Sequence, residues 1–234
     1  MTVSVLQERQ ASAGSSSVTS FALAFSNPVT SGSSLHTFST TSSIRTHTCA
    51  DSSNGAHTSL DQNTATSAGT LAHFNKDTSA AATITVTVSF TSDTFPAIWI
   101  REIGGTSGID TGHGINVTSS GTTRSGNSLT PTQQPGLISA LLYNDSTASG
   151  AADTGSGFVA SSPSSGWDWG GGTNFVFAES KRYTSTAAIS ASFVSVTTTD
   201  TTLILSALYK ESVAAAYVPD LVIAKAQMNA LLVN

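Results

Sequence analysis

Ala82–Gly105 reads ATITVTVSFTSDTFPAIWIREIGG, and this stretch decides the fold class. In its first part Ile84, Val86, Val88 and Phe90 alternate with Thr83, Thr85, Thr87 and Ser89. A period of two marks a strand with one face in a core and the other toward solvent. The second part, Ala97–Ile103, is apolar on both faces, with Ile98 and Ile100 on one and Ala97, Trp99 and Ile103 on the other. A strand covered on both sides belongs in the middle of a sheet or under a second layer. The short connection between them predicts a hairpin at the centre of a sandwich, with Ile98, Trp99 and Ile100 in the core. Thr83, Thr85, Thr87 and Ser89 leave it a flat, uncharged face suited to contacting another subunit. Arg101 and Glu102 fall on opposite faces of the second strand, so they do not pair with each other. A charge on so apolar a strand reaches solvent at its end or meets another charge, a subunit contact being a further reading.

Outward from this pair, Thr2–Glu8, Val18–Ser26, Leu35–Thr41, Ile44–Ala50, Ala56–Leu60 and Thr70–Asn75 read as further strands. Ala11–Ser17 is a small, polar connector. Asp51–Gly55 carries Asn54-Gly55, a turn signal because both residues tolerate positive φ. After Gly105 the pattern fades, and Thr106–Gln134 predicts a long loop crossing between sheets or edges. Gly136–Asn144, GLISALLYN, is a second strand apolar on both faces. Asp145–Gly166 reads as loop, and Asn174–Ala178, Ala187–Val196 and Thr201–Tyr209 as three antiparallel strands. The fold class is all-β, an antiparallel β-sandwich with jelly-roll-like topology. The expected divisions are an N-terminal strand and linker over 1–17, one sandwich over 18–211 and a C-terminal tail over 212–234.

The tail differs from the rest. Pro219-Asp220 suits the first turn of a helix running to Asn234, with a strand over LVIAK as the alternative. Leu221, Ile223, Met228, Leu231 and Leu232 make it apolar nearly all round. Such a segment needs a surface to cover it, its own sandwich or a neighbouring subunit. These five residues are the candidate assembly contacts.

Only 10% of the residues are charged, against roughly a quarter in an average soluble protein. Ser, Thr, Gly and Ala take their place, a composition typical of secreted modules, adhesins and virus particles. The net charge of −5 and nine Lys plus Arg argue against a nucleic-acid partner, which needs a basic stripe. A lone Cys49 excludes an intramolecular disulfide. MTVSVLQERQASAGSSS has no basic and apolar regions of a signal peptide, and no apolar run is long enough to span a bilayer. An extracellular composition without an export signal fits proteins assembled into a particle inside a host and released by lysis.

Several segments carry a resemblance. Pro28-Val29-Thr30-Ser31-Gly32 and Asp51-Ser52-Ser53-Asn54-Gly55 stand as turns. Thr83–Thr87, the series Ile98, Ile100, Glu102, Ile103 and Gly105, and Ala207–Lys210 stand as strands. Across roughly Val18–Glu211 the chain resembles β-sandwich modules of phage-encoded and bacterial surface proteins. These are strand and turn signatures, so the resemblance concerns fold and not activity. It implies virion decoration, head-fibre or tail-associated proteins, with glycan binding as a further expectation. Leu35–Thr41, interrupted by His36 and threonines, and the tail depart from the pattern.

Chemistry-bearing residues are few. His47, Cys49, His57 and Asp51 could furnish a zinc site, but structural zinc sites show paired Cys-x-x-Cys or His-x-x-x-His spacings. The plainer account is a polar strand beside a buried thiol, and no metal or other cofactor is expected. Cys49 with His47 defines no third member of a nucleophilic triad, and no Gly-x-Ser-x-Gly elbow occurs. Glu8, Glu102, Glu179 and Glu211 are scattered over different elements, unlike a glycosidase pair. Asp110, Asp145 and Asp153 lack the spacing of a calcium loop. Trp167-Asp168-Trp169, followed by Gly170-Gly171-Gly172, has the makings of a glycan site, two indoles for sugar faces and a carboxylate for hydroxyls. The same residues could instead cap the end of the sandwich, with the glycines supplying tight turns.

The expectation is a non-enzymatic structural protein of a phage-like virion, mounted through its termini on capsid or tail subunits as a homo-oligomer. The alternative is a carbohydrate-binding or adhesive surface module using Trp167 and Trp169. Neither reading calls for nucleic acid or a membrane span.

Overall fold

A computed structural model describes residues 2–14, 16–63, 69–78, 80–93, 95–118, 121–145, 152–161, 167–168, 174–197 and 201–212. The first half holds β1 (Ser4–Ser12), β2 (Val18–Ala24), β3 (Ser34–Thr41), β4 (Thr48–Asp51), β5 (Gly55–Ala56), β6 (Thr58–Asn63), β7 (Thr70–Asp77), β8 (Thr85–Asp93) and β9 (Ala97–Gly104). The second holds β10 (Thr106–Thr118), β11 (Arg124–Ser125), β12 (Gly136–Asp145), β13 (Asp153–Thr154), β14 (Val159–Ala160), β15 (Trp167–Asp168), β16 (Asn174–Tyr183), β17 (Ser192–Val194) and β18 (Thr202–Glu211). No helix of the described residues is long and apolar enough to cross a membrane.

Four antiparallel sheets result. In the first half an inner sheet runs β1-β9-β3-β7-β6 and an outer sheet β2-β8-β4-β5. If β6 at the edge is left out and the other strands are numbered in chain order, the sheets run 1-8-3-6 and 2-7-4-5. That interleaving is a jelly roll. The second half follows the same order with one outer strand fewer among the described residues, having an inner sheet β10-β18-β12-β16-β14, to which β15 adds on β16, and an outer sheet β11-β17-β13. Even the isolated bridges correspond, Val29 with Ala82 in the first roll and Leu129 with Ile189 in the second. The jelly-roll-like sandwich read from the sequence is therefore present twice, in tandem.

Two expectations change. Ala82–Gly105 is not a hairpin, because β8 pairs with β2 and β4 in the outer sheet while β9 pairs with β1 and β3 in the inner one. The link between them crosses the sandwich, turning at Phe95, whose φ is 55°. Thr106–Gln134 is not a loop throughout, since it opens with the 13-residue strand β10. Glycines erase its hydrophobic period where neighbouring side chains lie over the backbone. A Cβ on Gly112 would fall 2.6 Å from Leu208 Cδ1. The segment 1–17 also contributes a full strand of the inner sheet, paired from Ser4 with Gly104 to Ser12 with Ala97.

Each roll has its own core. Leu23, Phe25, Leu35, Phe74, Ile84, Val86, Val88, Ile98 and Ile100 fill the first, and Ile138, Leu142, Phe177, Phe193, Ile204 and Leu208 the second. A third cluster joins the inner sheets face to face through Phe38, Leu71, Ala97 and Trp99 against Leu141, Tyr143, Val176, Leu203 and Leu205. A fourth continues it with Val3, Ile103, Leu137, Ala207 and Tyr209. This explains the two apolar faces of β9, β12 and β18, which look into their own roll on one side and at the other roll on the other. Each large side chain fully buried there contributes about 1.5–3 kcal/mol, against about 1 kcal/mol net for a typical hydrogen bond. Apolar contacts therefore hold the rolls together, and polar groups in the same interface decide register.

Candidate functional site

Within that interface one polar side chain from each strand of the first roll's inner sheet lines up in sheet order. Asp61 on β6, His73 on β7, His36 on β3, Arg101 on β9 and Glu8 on β1 form a row, with Ser139 of β12 bridging the middle. Cross-strand register places them side by side, Asp61 opposite His73, His36 opposite Arg101 and Arg101 opposite Glu8. His73 Nε2 lies 2.7 Å from Asp61 Oδ2, and His36 Nε2 lies 3.3 Å from His73 Nδ1. Ser139 Oγ is 3.1 Å from His36 Nδ1, and Arg101 Nη1 donates to Ser139 Oγ at 2.7 Å. Arg101 Nε donates to Glu8 Oε2 at 3.0 Å, and Nη2 donates to Ser161 Oγ.

One set of tautomers satisfies every partner, both imidazoles neutral with Nε2–H donating toward Asp61 and Ser139 Oγ–H donating to His36 Nδ1. The electrostatics agree. Burial holds His36 well below the usual histidine range, and His73 and Arg101 nearby push the same way. Burial also lowers His73, more than its bond to Asp61 raises it. Burial works to raise the Asp61 carboxyl, but hydrogen bonds from His73 and His113 outweigh it and leave it below the ordinary range. Arg101, wholly buried, meets the charge of Glu8, one of the two outcomes read for it from the sequence.

At the solvent end of the row β10 of the second roll adds His113, whose Nδ1 lies 2.7 Å from the same Asp61 Oδ2. One donor atom from each of Asp61, His73 and His113 therefore lies within 4.8 Å of the others, close enough to share one cation. His73 is buried, while the side chains of Asp61 and His113 are 33% and 32% exposed. At the opposite end, near Glu8, a groove runs between β1 and the β14–β16 edge, lined by Leu6, Val159, Ser161 and Lys181.

The quartet read from the sequence divides. His47 turns to Ser39 and Thr41, its Nδ1 and Nε2 lying 2.8 and 2.9 Å from their hydroxyls. His57 stands between Cys49 and Asp51, Nδ1 at 3.3 Å from Sγ and Nε2 at 3.0 Å from Oδ2. Asp51 Oδ1 also accepts from the backbone N–H of Ser53 and Asn54, closing the β4–β5 turn that Gly55 completes at a φ of 78°. Thiol, imidazole and carboxylate thus have the order of a nucleophilic triad, with His57 instead of His47 as the middle member. Burial pushes the Cys49 thiol up to about 12, the opposite of the thiolate such chemistry needs. The sulfur packs in the core of the first roll.

Trp167 and Asp168 form β15, opposite Val176 and Phe175 of β16. Their side chains, Trp169, and the tail residues Leu221, Ile223, Met228, Leu231 and Leu232 lie outside the described residues. Of the acidic loop trio, Asp110 is engaged by Thr132, whose Oγ1 and backbone N donate to it at 2.5 and 2.9 Å. No motif in the sequence marks Asp61, His73 and His113, which come from three strands with no short spacing. The one available signal was His36, a histidine interrupting an otherwise core-forming strand.

No family model matches the chain, and no curated protein matches it. Among solved structures it is similar to oxalate decarboxylase from Bacillus subtilis at pH 4.6, with 9% identity and a TM-score of 0.22, over 95% of this chain and 78% of that one. A second structure, from a study of the Mn(II) centres of the same enzyme, gives 8% identity and a TM-score of 0.20, over 95% and 79%. Likenesses this slight carry no argument about either fold or function.

Proposed function

We propose that this chain is a non-enzymatic structural subunit of a phage-like virion, a capsid-decoration, head-fibre or tail-associated protein that assembles as a homo-oligomer on other virion proteins. The carrying observation is the way the two jelly rolls are joined. Their inner sheets bury one another, so the outer sheets face outward. On the first outer sheet Ser20, Ala22, Thr48, Ala50 and Ser89 are exposed around Thr87, in register across β2, β8 and β4. That face is uncharged and built of small side chains, which suits repeated subunit contacts better than long-range repulsion from neighbours. Jelly rolls serve capsids, lectins and cupins alike, so the fold alone decides nothing.

The points where residues 3 and 212 leave the rolls support mounting at one end of the pair. The backbone N–H of Val3 donates to Glu211 Oε2 at 3.2 Å, and that of Ser212 to Gly105 O at 2.8 Å. Residues 3 and 212 therefore leave the two rolls from neighbouring points. The test is a density gradient of particles from the native source, probed for this chain. Co-migration with particles supports the proposal. A soluble monomer in every fraction overturns it, and a glycan array signal lost in Trp167→Ala would then favour the adhesive module.

A further inference from the structure

We propose that Asp61, His73 and His113 bind one divalent transition-metal ion of the zinc class, and that this ion ties the first jelly roll to the second. The donor set is two imidazoles and one carboxylate, suited to zinc and its neighbours, whereas calcium and magnesium take oxygen donors. The donors come from both rolls, Asp61 and His73 from β6 and β7, His113 from β10. An ion between them would span the interface at its solvent edge, in any assembly the chain enters.

Local backbone features aim the side chains. The register of β6 against β7 slips between Ser59 and Asp61, and that of β10 against β18 slips between Ile109 and His113. Such irregularities re-aim a side chain at a chosen point of a sheet, and here two of them converge on one carboxylate oxygen. The fit needs the two partly exposed members to shift. Tetrahedral bonds of about 2.0–2.1 Å set neighbouring donors about 3.3–3.4 Å apart. Asp61 Oδ2 lies 2.7 Å from each imidazole nitrogen, so each of these separations must widen by about 0.6–0.7 Å. His73 is the fixed member, while Asp61 and His113, a third exposed, are free to adjust. Three protein donors leave a fourth position for solvent.

The row behind His73 supplies an outer shell. A metal-bound imidazole donates its other N–H to a partner, and His73 Nδ1 already faces His36 Nε2 at 3.3 Å. Metal at Nε2 takes that nitrogen's lone pair, and its proton is carried at Nδ1 instead. His36 changes tautomer in the same sense and donates from Nδ1 to Ser139 Oγ. His113, bound through Nδ1, carries its proton at Nε2. Imidazoles both donate and accept, so the row reverses direction as far as Ser139, whose Oγ then accepts from both His36 Nδ1 and Arg101 Nη1, and no buried charge is created along it.

The test uses the full chain without a purification tag, dialysed against Zn²⁺ or Co²⁺ and measured by elemental analysis and visible absorption. Wild type binds one ion per chain, and Co²⁺ shows the strong visible bands of a four-coordinate site. His113→Asn and Asp61→Asn, which keep shape and polarity, each weaken binding by at least about 100-fold, beyond the 10–100-fold that losing an outer-shell partner brings. His36→Gln falls within that smaller range, and His57→Ala, altered in the separate Cys49 cluster, binds as wild type. Zn²⁺ raises the melting temperature of wild type and not of His113→Asn. Absence of stoichiometric binding by wild type, or undiminished binding by His113→Asn and Asp61→Asn, overturns the proposal.

Discussion

Arg101→Met tests how the rolls are held together. Methionine replaces the apolar stem of the arginine but none of its donors. The change removes the 3.0 Å bond to Glu8, the 2.7 Å bond to Ser139, the bond to Ser161 and the 3.2 Å bond to the carbonyl of Glu179. Removing one partner of a buried ion pair costs about 3–5 kcal/mol, because the other charge is left without compensation. Here Glu8 keeps 16% of its side-chain exposure and a 3.2 Å bond from Trp99 Nε1, which places the cost at the lower end, about 3 kcal/mol. Glu8→Gln alone should cost less, since Arg101 retains its other acceptors. The double variant should be less damaged than the sum of the two by at least about 1 kcal/mol, the signature of a direct pair. Urea unfolding followed by tryptophan fluorescence and far-ultraviolet circular dichroism measures all three. A loss below about 1 kcal/mol for Arg101→Met, or strict additivity with Glu8→Gln, would refute the reasoning.

Three further predictions concern acid, packing and the tail. Burial pulls His47 down from 6.5 to about 4, against a partial rise from Asp93. Its contribution to stability is therefore complete above pH 6.5 and disappears as pH falls through about 4, worth about 3 kcal/mol at about 1.36 kcal/mol per pH unit. Glu179 runs the other way, raised by burial from 4.5 to about 7 despite backbone bonds from Ser192 and Gly155, so its contribution is complete below pH 4.5 and lost as pH rises through 7. Urea midpoints from pH 4 to 8 should fall less steeply toward acid in His47→Gln, with His36 and His73 keeping part of that limb, and flatten toward neutrality in Glu179→Gln. Gly136→Ala places a Cβ 2.5 Å from Tyr209 O and against the Tyr183 ring, and calorimetry should show a melting temperature lower by roughly 5 °C for about 2 kcal/mol of overpacking. Deleting 221–234 should leave circular dichroism unchanged while abolishing assembly in light scattering, and loss of the fold itself would count against a docking role for the tail.

Strands buried on both sides were legible because apolar residues occupy consecutive positions on both of their faces. Ile98 and Trp99 on β9, and Leu141 and Leu142 on β12, show this, each wholly buried in the fold. The Asp51–Gly55 turn was legible because its chemistry is local. Sheet membership was not, since β8 and β9 carry the same patterns whether they pair with each other or cross a sandwich. The duplication was hidden because strand order is what repeats, while the nine-residue β8 corresponds to the three-residue β17. Strand β10 vanished behind Gly108, Gly112 and Gly114, and His113 with it. Asp61, His73 and His113 meet only because two register slips and the face-to-face packing of the rolls bring three distant strands to one edge. The polar row behind them was equally out of reach, because its order belongs to the sheet and not to the chain.

The most direct test of the particle-subunit proposal is electron microscopy of the native assembly. The expected result is paired jelly-roll densities at symmetric positions on a capsid or tail, with residues 3 and 212 toward the particle. A chain found only as a free monomer, with no density of this shape on any particle, would contradict it.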